Sequence, residues 1–147
     1  MRWDQIDVEK SEWRFTLSKT NRDHIVPLSR QAKEILEGLW PLTGREPFVF
    51  ASMVRKGRPI SPEALNRALQ TLGYDTRKEI TAHGFRAIAR TLLHEELGWI
   101  PEIIEHQLGH TVPDALGEAY NRAKFLTKRK DLMQKWADYL DSLREGK

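Results

Sequence analysis

Cysteine is absent from the 147 residues of this chain, so neither a disulfide framework nor a thiolate metal site is available, and a reducing interior is compatible with its composition. Long hydrophobic runs are absent too. No apolar stretch approaches the ~20 residues that span a bilayer, and Met1-Arg2-Trp3-Asp4 carries no signal-peptide core, so a soluble, cytoplasmic protein without a membrane segment is expected. Internal repeats and low-complexity linkers are lacking, which predicts one domain over residues 1–147. A domain of this size buries roughly 68–70% of its unfolded surface. Net charge is also small: 24 basic residues stand against 21 acidic ones, for a formal +3.

What is present is an apolar fraction of 39% with five Trp and five Phe, too rich for a disordered chain. The basic residues are unevenly placed. Six of them, Arg122, Lys124, Lys128, Arg129, Lys130 and Lys135, fall in one stretch with Asp131 as its single acid. Such a cluster permits phosphate binding, although a solvated helix face is the commoner source of a lone charge run.

Periodicity places the elements. Trp13-Arg14-Phe15-Thr16-Leu17 alternates apolar and polar residues as a half-buried strand does, and a turn over 20–23 leads to extended His24-Ile25-Val26-Pro27, a hairpin with Lys19 at the edge of its turn. Ser29 is a plausible cap for a helix with Ala32, Ile35, Leu36 and Leu39 on one face, ending between Gly38 and Pro41. Phe48-Val49-Phe50 reads as a third strand, and Arg55 to Pro59 as a basic turn. Ser61-Pro62-Glu63 starts a helix that buries Leu65, Ala68, Leu69 and Leu72 and stops at Gly73. Phe85, Ile88, Ala89, Leu92 and Leu93 mark the inner face of a longer helix, closed by Gly98. Pro101 opens a short helix with Ile103, Ile104 and Leu108 inward and Gly109 at its end. A final helix from about Thr127 to Arg144 buries Leu132, Met133, Trp136, Tyr139, Leu140 and Leu143. The expected fold class is α+β, mostly helical, with a small antiparallel sheet near the N-terminus.

The stretch richest in chemistry is Thr81-Ala82-His83-Gly84-Phe85-Arg86. His83 and Arg86 are three apart, so on a helix they share a face and can converge on one anion. A guanidinium forks onto two phosphate oxygens, and a helix N-terminus adds partial positive charge at the same place. Leu108-Gly109-His110 follows, a histidine just past a helix-ending glycine, and Tyr120 stands ten residues further on. Taken singly, each is more often structural, a histidine bonding local backbone or a tyrosine packing its ring.

Together, His-x-x-Arg at the head of a helix, Leu-Gly-His, a tyrosine ten residues on and a lysine in an upstream hairpin resemble the tyrosine recombinase (phage integrase) family, over essentially the whole chain. Lys19-Thr20 with Ile25-Val26-Pro27-Leu28-Ser29 is similar to the family's lysine hairpin, and Trp3-Asp4-Gln5-Ile6-Asp7 to the segment after its first arginine. The resemblance implies site-specific DNA recombination through a 3′-phosphotyrosine intermediate. Tyr120 would be the nucleophile, His83 its proton acceptor or orienter, Arg86 and His110 the stabilisers of the non-bridging oxygens, and Lys19 the general acid. The covalent link conserves the phosphodiester energy, so no metal, ATP or other cofactor is implied. A tyrosine with an ordinary pKa near ~10 needs this assistance at neutral pH. Arg22, Arg90, Arg122 and Lys124 are the expected DNA-contacting residues. Double-stranded attachment sites are the implied partner, with the whole protein a tetramer on DNA and an isolated domain a monomer.

One departure stands out. The family's other phosphate-clamping arginine precedes the hairpin, upstream of the Trp-x-x-Ile/Val-Asp stretch, and Arg2 is too close to Trp3 to be that residue. The chain is therefore expected to be a catalytic-domain fragment without that arginine and without the N-terminal DNA-binding domains, which puts strand cleavage by the chain alone in question. An inactive DNA-binding or regulatory remnant predicts the same fold and basic surface. A metal hydrolase is the other competing class, since His106 and His110 have the i, i+4 spacing of helix-borne zinc ligands; Gly109 interrupts that helix and no Glu follows His106. His83, Arg86 and His110 are expected around one solvent-open basic pocket with Lys19 at its rim, and Tyr120 on a short element weakened by Pro113 and Gly117.

Overall fold

The computed structural model describes residues 1–18, 20–110 and 125–146. Three antiparallel strands, β1 (Ile6–Asp7), β2 (Glu12–Leu17) and β3 (Arg22–Pro27), lie in the order β1-β2-β3. The β2–β3 register runs from Glu12 opposite Pro27 to Leu17 opposite Arg22. Trp13, Phe15 and Leu17 are half-buried while Arg14 and Thr16 face solvent, and the Trp13 and Phe15 rings stack with centroids 3.9 Å apart. The reversal is made by Asn21, whose φ of 49° lies in the left-handed region and whose N–H donates to the Leu17 carbonyl at 2.8 Å.

The third strand is Ile6–Asp7, not Phe48-Val49-Phe50. Ile6 faces Trp13 and Asp7 faces Glu12, whereas residues 48–51 contribute only the isolated bridges Arg2 to Phe48 and Ala51 to Pro59. The first residues thus have partners: the Trp3 N–H donates to the Pro47 carbonyl at 3.2 Å, and the Val49 N–H to the Met1 carbonyl at 3.3 Å. Val49 is buried beneath them.

Helix α1 (Arg30–Thr43) starts as expected, with the Ser29 hydroxyl accepting from the Ala32 N–H at 3.2 Å. It then runs past both Gly38 and Pro41. Proline forfeits only its own bond to Glu37, and the turn beyond is held from outside: the Thr43 hydroxyl donates to the Val49 carbonyl at 2.8 Å, and the Trp3 indole donates to the Thr43 carbonyl at 3.0 Å. Helix α2 (Pro62–Thr71) ends before Gly73, whose φ is +96°. Its expected inner face is not buried. Leu72 is 74% exposed and no residue of α2 is buried, because no described helix or strand packs broadly on it.

The remaining helices are α3 (Gly84–Glu95), α4 (Pro101–Gln107) and α5 (Leu126–Arg144). Leu93, Ile103, Ile104 and Leu132 form the core where these three meet, with Leu97, Trp99, Leu108, Phe125, Met133 and Trp136 around them. Full burial of such side chains stabilises by about 1.5–3 kcal/mol each. The core takes only the C-terminal part of α3: Phe85 and Ile88, expected inward, are 50% and 41% exposed. On α5, Leu140 and Leu143 likewise remain exposed. The α+β class holds, and no described helix is long and apolar enough to cross a membrane.

Candidate active site

The start of α3 and the end of α4 are both set by local chemistry. The Thr81 hydroxyl accepts from the Gly84 N–H at 3.1 Å, and the Arg86 N–H donates to the His83 carbonyl at 3.1 Å, so α3 opens directly after His83. At the end of α4 the His110 N–H reaches back to the Glu105 carbonyl at 3.0 Å, and the Gly109 N–H to the His106 carbonyl at 3.1 Å. This pair of bonds is a Schellman termination, which requires a left-handed residue, and Gly109 supplies it with φ +72°. A side chain there would also crowd the hairpin: a Cβ on Gly109 would lie 3.3 Å from Leu17 Cδ2. The Leu-Gly-His motif thus ends the helix, seats it on β2 and turns His110 outward.

At that point Arg86 and His110 meet. Arg86 Nη2 lies 2.9 Å from His110 Nε2 and also donates to the Leu108 carbonyl. On the other side of the ring, Nδ1 is hydrogen-bonded to Glu105 Oε2, and Glu105 Oε1 accepts from Arg90 Nε at 2.5 Å. A guanidinium can only donate, so Nε2 is the acceptor; the network therefore assigns a neutral ring with its proton on Nδ1 facing Glu105. The bond from His110 holds the Glu105 carboxyl below the ordinary carboxylate range, with Arg90 adding to it against partial burial. Arg86 and His110 are both exposed. Among the described residues the contacts of Arg86 use Nη2 alone, which leaves its Nε and Nη1 donors for a ligand such as a phosphate.

His83 stands one turn before Arg86, exposed, its side chain without a hydrogen-bond partner among the described residues. Arg90 is occupied by Glu105. Arg22 is exposed at the start of β3. Lys19, Tyr120, Arg122 and Lys124 lie outside the described residues. Reading by residue type missed Glu105, whose signal is weak: it is one acid among several, and only the terminated helix brings it under His110.

A buried polar network ties the hairpin to this site. Arg129, which the charge run placed on a solvated face, is 1% exposed; its Nε donates to Gln107 Oε1 at 2.9 Å and its Nη2 to the Ile25 carbonyl. Burial pushes its guanidinium down to about 10, partly offset by Glu12. His24 Nε2 lies 3.3 Å from the Gln107 carbonyl, and burial, then Arg129, pushes its imidazole down to about 4. Glu12 is buried too, paired with Arg14 at 2.6 Å and Lys130 at 3.1 Å. The turn that flanks Lys19 is thereby carried on a hairpin fixed to the last turn of α4. His106 is buried against the Phe125 ring while His110 pairs with Glu105, and among the described residues no group of three metal-ligating side chains forms.

Comparison with known proteins adds to this geometry. The model of the phage integrase family matches residues 1–126. The chain is 40% identical over 147 residues to the prophage integrase IntA of Escherichia coli (strain K12), covering 99% of this chain and 35% of that protein. It is 37% identical to the integrase of Enterobacteria phage P4, over 95% of this chain and 35% of that protein, and 35% identical to the integrase of Shigella phage Sf6, over 96% and 37%. The chain thus spans little more than a third of the length of these relatives. No solved structure matches it.

Proposed function

We propose, from the premise that this chain belongs to the phage integrase family, that residues 1–147 form the catalytic domain of a site-specific DNA recombinase that cuts and rejoins strands through a 3′-phosphotyrosine. The observation that carries the reading is the meeting of Arg86 and His110, 24 residues apart in sequence, at 2.9 Å on an exposed surface. A scissile phosphate seated there takes the Arg86 donors left unused among the described residues on one non-bridging oxygen and His110, once protonated on Nε2, on the other. Charge building on those oxygens is met by the Arg86 guanidinium and by His110 after its protonation; losing one such donor typically costs about 2.7–4 kcal/mol of transition-state stabilisation.

The Tyr120 oxygen attacks phosphorus, its proton passing towards His83, and the P–O5′ bond breaks as the leaving oxygen takes a proton from the Lys19 ammonium. A lysine suits that step because a guanidinium does not give up its proton. Reversal with a 5′-hydroxyl from a partner strand rejoins the DNA, and no metal or nucleotide is consumed. Arg22, Arg122 and Lys124 are the proposed backbone contacts; Arg90 serves Glu105. The partner is double-stranded DNA carrying the attachment sites, bound by a tetramer of the whole protein.

The test is covalent trapping. Nicked duplexes of randomised sequence are offered to the chain, and to a chimera in which it replaces the matching third of a relative, and the products are resolved under denaturing conditions. The expected result is a protein–DNA adduct, with nucleotide found on Tyr120 by peptide mass spectrometry and lost in Tyr120→Phe. An adduct undiminished by that substitution makes Tyr139 the next candidate. DNA binding with no adduct from either protein leaves the chain a non-catalytic DNA-binding remnant.

A further inference from the structure

We infer that Glu105 is the positioning residue for His110: it selects which ring nitrogen carries the proton and keeps the other nitrogen turned to the phosphate. This rests on the reading of Arg86 and His110 as the phosphate-holding pair. Glu105 grips His110 twice, by its backbone carbonyl on the His110 N–H at 3.0 Å and by its carboxylate on ring Nδ1. The carboxylate is in turn aimed by Arg90 Nε at 2.5 Å, and Arg90 is one helical turn beyond Arg86 on α3. Glu105 has the most covered side chain of the set, 22% exposed against 50% for His110 and 59% for Arg90. Arg86 and Arg90 thus act from one helix on the two ends of one unit, the first on the far nitrogen of the ring and the second on the carboxylate behind it.

The chemical consequence follows from the proton count. With Nδ1–H held by Glu105, Nε2 is a bare acceptor that takes a bond from Arg86 when no anion is present. Once a phosphate draws the guanidinium onto its own oxygens, Nε2 faces an acceptor and can bond to it only after taking up a proton from solvent. The resulting imidazolium is flanked by the Glu105 carboxylate, which stabilises it without accepting the Nδ1 proton. Without Glu105 the ring is free to turn and the imidazolium that meets the phosphate loses its flanking carboxylate, so fewer molecules hold an Nε2–H on the phosphate oxygen.

Two readouts test this. In the isotopically labelled chain without DNA, long-range proton–nitrogen correlations of His110 should report the Nδ1–H form. Glu105→Ala should shift the ring towards the Nε2–H form, and Glu105→Gln, whose amide oxygen still accepts, should retain Nδ1–H. In the trapping assay at saturating DNA, Glu105→Ala should slow adduct formation by roughly 10- to 100-fold, the range that orienting partners of functional histidines command, with DNA affinity unchanged; Glu105→Gln should recover part of the rate. An unchanged tautomer in Glu105→Ala, or a rate loss that only follows lost affinity, overturns the proposal. If Glu105→Ala does not fold, the Gln variant carries both readouts, and loss of Nδ1–H there counts against the amide's acceptor role. A normal rate in His110→Ala sinks the reading of the phosphate pair instead, and the tautomer measurement still decides whether Glu105 holds the ring.

Discussion

At the scale of single residues, Gly109 and His24 carry the most structure per atom. Gly109 meets two independent demands, a left-handed φ of +72° and close approach to Leu17. Gly109→Ala should destabilise the fold by about 1–3 kcal/mol, the left-handed penalty plus the displaced contact. A lower denaturant midpoint at unchanged slope checks it. His24 is a base held neutral by burial. Its folded value of about 4 lies below the ordinary 6.5, so the unfolded chain binds more protons between those values. Its contribution is therefore complete above about pH 6.5 and is lost as the pH falls towards 4. The full shift corresponds to about 3 kcal/mol, reduced to roughly 1–2 because the ring is only partly buried. Urea unfolding at pH 7.5 and pH 4.5 should show that loss, and His24→Gln should flatten that part of the curve.

Among the elements, α2 and α4 are opposites. Helix α4 is short, but Ile103, Ile104, His106 and Gln107 are all buried and its end is bonded into the hairpin network. Helix α2 is longer and buries nothing, its tie to the start of α3 being the bond from the Ala82 N–H to Asn66 Oδ1 at 2.8 Å. Local stability follows buried apolar contact, so amide exchange should be fastest in 62–71 and slowest in α4 and the middle of α5. Protection of α2 equal to that of α4 in the DNA-free chain would contradict this ordering. The same contrast explains why patterning over-predicted burial in α2 and at Phe85, Ile88, Leu140 and Leu143. An amphipathic stripe announces a face able to be buried, and only a neighbour buries it.

For the whole molecule, net charge governs how the proposed DNA partner, a polyanion, would be met. The net charge of +3 supplies little long-range attraction, and several cations are spent internally, on Glu12, Asp131 and Glu105 among others. DNA binding by the chain alone should therefore be weak and steeply salt-dependent, falling linearly in log K against log salt. Fluorescence anisotropy with a mixed-sequence duplex at 50 and 200 mM salt checks it, and nanomolar sequence-specific binding would overturn it.

The sequence by itself determined the hairpin, the positions where α1, α2 and α4 start and the glycine terminations, because capping residues, Pro at the first helical position and positive-φ glycines act on their immediate neighbours. It also singled out Arg86 and His110, which the fold brings together at 2.9 Å. Tertiary structure alone decided what depends on contacts remote in sequence. Helix α1 outlasts Pro41 because Trp3 and Val49 hold Thr43. Ile6–Asp7 becomes a strand because Trp13 and Glu12 lie opposite. Arg129 leaves the basic face for the interior because Gln107 and the Ile25 carbonyl accept from it. Glu105 acquires its place beside His110 because the end of α4 turns back on itself and α3 brings Arg90 to the same carboxylate, an alignment of three side chains that no periodicity encodes.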